Sequence, residues 1–227
     1  MILDTLDIPI VLAPLAGGPS TTDLAVAVSE AGGLGFLASG YRTAADLREQ
    51  VRSFRASSAR PFGVNLFTPP ASASDPEVCA RYVEVLRREA DRAGVPLGEP
   101  RSDDDDWNAK LVALSELKVP VVSFVFGCPP AEVVARLRAI ATSVWVTVTS
   151  PEEAQVAEDA GVDAVVVQGY EAGGHRGSFS DGGETPYGLL SLLQLVAARA
   201  HVPLVAAGGL ASGRGVAAAL VAGAQAA

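Results

Sequence analysis

Cysteine and histidine are scarce in this sequence: two of each among 227 residues. Cys79 falls in a helical pattern and Cys128 in a loop signal, so the thiols supply neither a disulfide framework nor the paired spacing of a zinc site. Reduced cytosolic thiols are the simpler reading. Basic side chains are outnumbered, 17 against 26 acidic ones, and the net charge of −9 opposes a general attraction to nucleic-acid phosphates. No apolar run is long and uninterrupted enough to span a bilayer, and the start Met1-Ile2-Leu3-Asp4 lacks the basic-then-apolar order of a secretory signal. A cytoplasmic protein without membrane or nucleic-acid partners is expected. Charge of either sign is sparse, at 19%, against 49% hydrophobic residues, which excludes a disordered chain and suits an extensive buried sheet. The one acidic run, Asp103 to Asp106, follows Gly98, Pro100 and Ser102 and reads as a solvated loop. No metal site is expected there.

What is present is an alternation of short apolar runs with longer stretches of helical periodicity, the pattern of βα units around a parallel sheet. Seven strands are expected, at residues 9–13, 34–38, 62–66, 120–125, 144–148, 164–167 and 203–206. They are apolar nearly throughout, as strands covered on both faces are. Between them, Leu24, Ala27, Val28 and Ala31 form a helical stripe, as do Val133, Leu137, Ile140 and Ala141, and Leu189, Leu193, Val196 and Ala197. Ser150-Pro151-Glu152-Glu153 combines an N-cap, a proline at the first helical position and a capping-box glutamate. Ala31-Gly32-Gly33, Ala160-Gly161-Val162 and Ala222-Gly223-Ala224 each read as a helix end leading into a strand. After the third, only Gln225, Ala226 and Ala227 remain, so an eighth strand is expected to be missing. Residues 1–227 read as one domain without an interdomain linker, with loops at 71–74 and 94–106 flanking a helical excursion. The expected fold is a (β/α)8 TIM-type barrel truncated before strand eight, with a gap between the seventh and first strands and an open edge that favours self-association.

In such barrels chemistry resides in the loops after the strands. Strand one leads into Pro14-Leu15-Ala16-Gly17-Gly18-Pro19, strand six into Gln168-Gly169-Tyr170-Glu171-Ala172-Gly173-Gly174-His175-Arg176-Gly177, and strand seven into Ala207-Gly208-Gly209-Leu210. The Gly208-Gly209 turn before a helix N-terminus suits a phosphate, or else is a purely structural turn. It lacks the spacing of a dinucleotide fingerprint. His175, in a glycine-rich loop rather than on an apolar stripe, suits a general base as well as a structural role. His201, just before Val202-Pro203, reads as structural. Tyr170, Glu171 and Arg176 are candidates to shape the same pocket, and Asn65 and Gln168 carry amides able to meet a polar ring edge or serve as ordinary strand-end residues.

Together these segments resemble the nitronate monooxygenase family. The resemblance runs from Pro9 to the end of the chain. It rests on Pro9-Ile10-Val11-Leu12-Ala13-Pro14, Ala27-Val28-Ser29-Glu30-Ala31-Gly32-Gly33-Leu34-Gly35, Phe62-Gly63-Val64-Asn65-Leu66, the His175 loop and Ala206-Ala207-Gly208-Gly209-Leu210. It implies an FMN-dependent oxidoreductase that uses oxygen to convert nitronates or nitroalkanes into carbonyl products and nitrite. By the same resemblance Ala13, Pro14 and Leu15 line the flavin, and Asn65 and Gln168 approach its polar edge. Gly173 and Gly209 contact FMN, the Gly208-Gly209 loop serves its phosphate, and His175 is the catalytic histidine. Leu15 departs from the family's frequent methionine, and the family's last strand and its phosphate loop are not in the sequence. An FMN- and NAD(P)H-dependent enoyl or quinone reductase shares much of the glycine-histidine loop, Arg176 favouring the nitronate reading. A non-catalytic flavin- or phosphate-binding fragment is the alternative from a different class.

Overall fold

The apolar runs become six parallel strands in a computed structural model that describes residues 2–70, 75–180 and 186–227. They are β1 (Gly35–Ala38), β2 (Phe62–Phe67), β3 (Val121–Val125), β4 (Ser143–Val148), β5 (Ala164–Gln168) and β6 (Leu204–Ala207), each paired with the next in chain order. The seven strand expectations hold except in the first. Residues 9–13 contribute a single bridge, Val11 to Leu34, flanked by bonds from Leu34 N–H to Ile10 O and from Leu12 N–H to Leu34 O. Pro14 has no N–H to continue that ladder.

The expected gap between the seventh and first positions is corrected at the level of Ala226. Residues 225–227 occupy the eighth position: Gln225 N–H donates to Leu204 O and Ala206 N–H to Ala226 O on one side, and Val11 N–H donates to Ala227 O and Ala227 N–H to Pro9 O on the other. The cap signal at Gly223 turns the chain back early enough for three residues to reach the ring. At that level backbone groups that would otherwise form an open edge are paired. The truncated α/β barrel stands as expected, since the last residues form an isolated bridge at Ala226 and not an eighth strand.

The chain divides into two compact units, residues 1–68 with 105–227, and residues 69–104. The second contains α3 (Pro76–Ala93), capped by the Asp75 carboxylate at its start and by Gly94 at φ +67. This is the expected helical excursion; its flanking loop at 71–74 lies outside the described residues.

In the first unit the register sorts side chains into two layers. Phe36, Gly63 and Val121 are neighbours across β1 to β3, and Asn65, Ser123, Trp145 and Ala164 across β2 to β5. The inner cluster joins Leu34, Phe36, Val121, Trp145, Ala164, Val205 and Ala226, with Val11 and Val166 partly buried against it. The Phe36 ring lies 5.7 Å from Trp145 and fills the space left by Gly63, where a Cβ would come within 2.3 Å of it. Ile2, Leu3 and Leu6, on and after a 3-10 helix (Ile2–Thr5), pack onto the same cluster. The outer layer, including Leu37, Val64, Val122, Val146 and Val165, meets the surrounding helices.

Those helices are α1 (Thr22–Glu30), α2 (Ala44–Ser57), α4 (Trp107–Leu117), α5 (Ala131–Arg138), α6 (Pro151–Asp159), α7 (Leu189–Ala197) and α8 (Gly213–Val221). The α7 stripe is buried as expected at Leu189, Leu193 and Val196, whereas Ala197 is exposed and Leu192 joins the buried face. In α1 the expected stripe is out of phase: Leu24 is exposed, while Ala25 and Ser29 are buried. The helix lies too close to β1 for larger groups. A Cβ on Gly35 would sit 2.0 Å from Ala25 O, and Ser29 Oγ accepts the Gly35 N–H and donates to Pro61 O. The three glycine caps adopt the expected left-handed conformation, with φ of +94, +84 and +114 at Gly32, Gly161 and Gly223.

Candidate active site

Gln168, the last residue of β5, holds the loop that carries His175. Its Nε2 donates to His175 O at 3.1 Å and its Oε1 accepts the Gly177 N–H at 2.7 Å. Gly177 settles onto the ends of β3 and β4, where a Cβ would approach Thr147 and Val125 methyl carbons to 2.9 Å. Farther along, the buried Glu153 carboxylate accepts the Phe179 N–H at 2.7 Å, together with the Thr149 N–H at 2.5 Å and its hydroxyl at 3.0 Å. This corrects the capping box that the spacing of Ser150 and Glu153 predicts. Ser150 does accept the Glu153 N–H, but the carboxylate turns to Thr149 and the histidine loop instead.

So anchored, His175 lies exposed at the C-terminal end of the barrel, among aromatic residues that the sequence does not single out. Its ring meets Phe126 edge-on at 5.6 Å, and its Nε2 lies 3.5 Å from Tyr41 Oη. Phe67 packs edge-on against both, 4.9 Å from Phe126 and 5.1 Å from Tyr41. Tyr41 and Phe126 have φ of +63 and +69, a left-handed conformation that costs bulky residues about 1–3 kcal/mol and tends to cluster at functional sites.

The conformation of Tyr41 is secured by the second half of the acidic run: Asp103 and Asp104 are exposed as expected of a solvated loop, but Asp105 and Asp106 are partly buried and bonded. Asp105 accepts the Tyr41 N–H at 2.9 Å and pairs with Lys110 Nζ at 2.7 Å; the lysine is fully buried and also donates to Ser39 O at 2.8 Å. Asp106 accepts the Ala44 N–H at 2.7 Å. These carboxylates satisfy main-chain donors and a buried cation, which solvent would otherwise have to reach. The spacing of Asp105 and Asp106 ahead of Lys110, the one lysine among apolar helix positions, is the signal that could have found them.

Ala13 and Leu15 are exposed, and Pro14 is partly buried. Their loop is tied by buried Ser20, whose Oγ accepts the Leu15 N–H at 2.8 Å and donates to Ala13 O at 3.2 Å. Leu15 lies beneath the histidine loop, since a Cβ on Gly174 would be 3.6 Å from its Cδ2, whereas Gly173 faces open space. Asn65 is buried and directs its amide donor to Ser123 Oγ at 2.9 Å and Ser123 O at 3.3 Å. Gly208 and Gly209, at φ +100 and +70, pack on the stem of the loop: added Cβ atoms would lie 2.9 Å from Gly169 O and 2.7 Å from Glu171 Cβ. Glycine at both positions is thus required by the neighbouring turn.

The Glu171 carboxylate accepts the Leu189 N–H at the start of α7 at 2.9 and 3.1 Å. The Arg176 guanidinium lies 5.6 Å from the centre of the Tyr170 ring. His201 is exposed and pairs with Glu158 at 3.3 Å, a structural contact as expected. Burial pushes the Cys128 thiol up to about 11, so this cysteine is no ready nucleophile. A cleft of about 290 Å³ lies elsewhere, between α6 and α7, lined by Gln155, Val156, Leu195 and Arg199 among others, and includes none of the expected site residues. Among the described residues no group of three His, Cys, Asp or Glu side chains is placed to hold a metal, and no helix is long and apolar enough to cross a membrane.

The sequence model of the nitronate monooxygenase family matches residues 2–227. A nitronate monooxygenase of Pseudomonas aeruginosa is 41% identical over 96% of this chain and 63% of its own length, and one of Paraburkholderia phytofirmans 39% identical over 98% and 62%. The chain therefore spans about three fifths of these relatives. Among solved structures, a nitroalkane oxidase from Streptomyces ansochromogenes superposes with a TM-score of 0.94 at 48% identity, covering 99% of this chain and 65% of that one. FabK from Thermotoga maritima superposes at 0.73 and 32% identity, covering 99% and 58%.

Proposed function

The chain belongs to the nitronate monooxygenase family, and on that footing we propose that it forms the barrel of an FMN-dependent oxidoreductase that uses oxygen to convert nitronates or nitroalkanes into carbonyl products and nitrite. The observation that carries this reading is the two-sided hold of Gln168 on the loop of His175, which presents an imidazole at the catalytic end of the barrel.

The residues at the barrel mouth fit a flat ring bearing a phosphate. Ala13 and Leu15 leave apolar surface uncovered there, and the absence of neighbours around Gly173 leaves its backbone approachable. The first turn of α8, just after Gly208-Gly209, carries no carboxylate and contains Arg214, which suits an anion at a helix N-terminus. In this reading Leu15 and Gly173 border the ring and the Gly208-Gly209 turn with α8 receives the phosphate. FMN, when bound, supplies the electron transfer that side chains lack.

His175 has two tasks according to substrate. With a neutral nitroalkane it takes the α-proton: the C–H bond breaks, its electron pair becomes the C=N bond, and negative charge passes to the nitro oxygens. With a preformed nitronate it orients the anion by hydrogen bonding. Phe67, Phe126 and Tyr41 provide an apolar wall beside it, suited to an alkyl group.

The test is anaerobic mixing of the FMN-loaded protein with ethylnitronate and, separately, with NADPH. Rapid flavin bleaching by ethylnitronate alone supports the proposal; bleaching by NADPH alone replaces it with the reductase reading, and FMN retention with neither reaction replaces it with a binding role. His175→Asn is expected to lower kcat/KM for nitroethane by about 10²-fold or more, to affect ethylnitronate less, and to leave FMN bound. Undiminished nitroethane turnover would remove the histidine from the mechanism.

A further inference from the structure

We propose that Tyr41 is a second catalytic residue of this site, donating a hydrogen bond from its phenol to the nitro oxygen that gains charge as the α-proton leaves, and that the buried Lys110–Asp105 pair is the device that sets it there. The proposal rests on the reading of His175 as the proton acceptor.

Three observations converge. Tyr41 Oη and His175 Nε2, a hydroxyl donor and a proton acceptor, lie 3.5 Å apart at the barrel mouth although they come from loops after β1 and β5. A nitroalkane presents its acidic carbon and its oxygens on the same nitrogen, so groups this close can engage both at once. Next, Tyr41 is held against its own backbone preference, at φ +63, through the Asp105 carboxylate. Finally, Asp105 is fixed by a lysine with no exposed surface, whose ammonium also donates to Ser39 O, two residues before Tyr41. A buried ion pair adds little net stability over apolar packing. Here it holds the main chain of a residue whose phenol is exposed at the barrel mouth.

In the step itself the proton moves from carbon to His175 Nε2 and the C–H pair becomes the C=N bond. A nitro N–O π pair localises on oxygen. Tyr41 keeps its proton and stabilises that oxygen, as a preorganised donor does wherever charge develops. In the free protein the same hydroxyl is within reach of Nε2, since a phenol can donate to a neutral imidazole and accept from a charged one.

Tyr41→Phe removes the donor and keeps the ring against Phe67. It is expected to lower kcat/KM for nitroethane by about 10- to 100-fold, the low end of an oxyanion-donor loss because the site is open to water, and to raise KM for ethylnitronate. Asp105→Asn should give a smaller loss and add nothing on top of Tyr41→Phe. A readout independent of turnover comes from His201→Gln, which leaves His175 as the only imidazole: its ring nitrogen spectrum should change on introducing Tyr41→Phe. Nitroethane kcat/KM within twofold of the parent, an unchanged ring spectrum, or losses from Tyr41→Phe and Asp105→Asn that multiply would each overturn the proposal. Intact nitroethane turnover in His175→Asn would instead remove the base reading, leaving the ethylnitronate result for Tyr41→Phe, which needs no base, to be judged on its own.

Discussion

Glu153→Ala tests how the histidine loop is held. Glu153 is 6% exposed, and its carboxylate accepts hydrogen bonds from two main-chain N–H groups, of Thr149 and Phe179, and from the Thr149 hydroxyl. Hydrogen bonds to a charged group contribute about 1.5–3 kcal/mol each, and removing one partner of a buried bond costs about 1–3 kcal/mol. Two strong bonds and one weaker one set a gross loss of about 4–6 kcal/mol. Taking a carboxylate out of the interior returns part of that, since its desolvation no longer opposes folding. A net loss of about 3 kcal/mol remains, equal to a Tm fall of about 6–12 °C for a chain of this size. Scanning calorimetry of Glu153→Ala beside Glu152→Ala provides the measurement, because Glu152 is the exposed neighbour in the same first turn. Hydrogen exchange should also quicken at Phe179. Equal Tm values for the two variants would refute the assignment of Glu153 as an anchor and leave the loop held by Gln168 alone.

Gly209→Val places a β-branched residue at φ +70 with its Cβ 2.7 Å from Glu171; it should destabilise the fold by about 1–3 kcal/mol and weaken FMN retention, and a variant with parental Tm and unchanged FMN Kd would refute both expectations. Cys128, with its thiol raised from 9.0 to about 11, should react slowly with iodoacetamide at pH 8. Between about pH 9 and 11 the unfolded chain has lost that proton while the folded one keeps it, so stability falls as pH rises through this window. Cys128→Ser should flatten the decline, and an identical pH profile would show that the thiol does not contribute.

The strands are legible because a parallel sheet covered on both faces leaves apolar runs in the sequence, and the caps at Gly32, Gly161 and Gly223 because a left-handed residue ahead of a strand is marked by glycine. The face of α1 is not, since its contact with β1 is set by the smallness of Ala25, Ser29 and Gly35 rather than by hydrophobicity. At the site, His175 and Gln168 stand out through their place in a glycine-rich loop. Tyr41 and Phe126 do not, because a residue's approach to His175 from a loop several strands away leaves no trace in local spacing. The acidic run misleads for a related reason: composition distinguishes a charged stretch from an apolar one, but not a carboxylate in water from one bonded to a buried Lys110. Glu171 and Glu153 illustrate the same limit, each being bonded to a main-chain N–H well separated in sequence.

Sheet order follows chain order at every rung but one, the seam where residues 225–227 meet residues 9–11. The other rungs join strands that follow one another in the chain, separated by one helix except between β2 and β3, where α3 and α4 both intervene. The entropy lost in closing a loop grows as about 1.5RT ln n with its length, and the seam closes almost the whole molecule. Successive units can therefore assemble from any starting point, with ring closure as the late step. The seam bonds of Val11 and Ala227 are therefore expected to exchange their N–H protons sooner than the ladders between the six strands, which hydrogen exchange at those two residues would show.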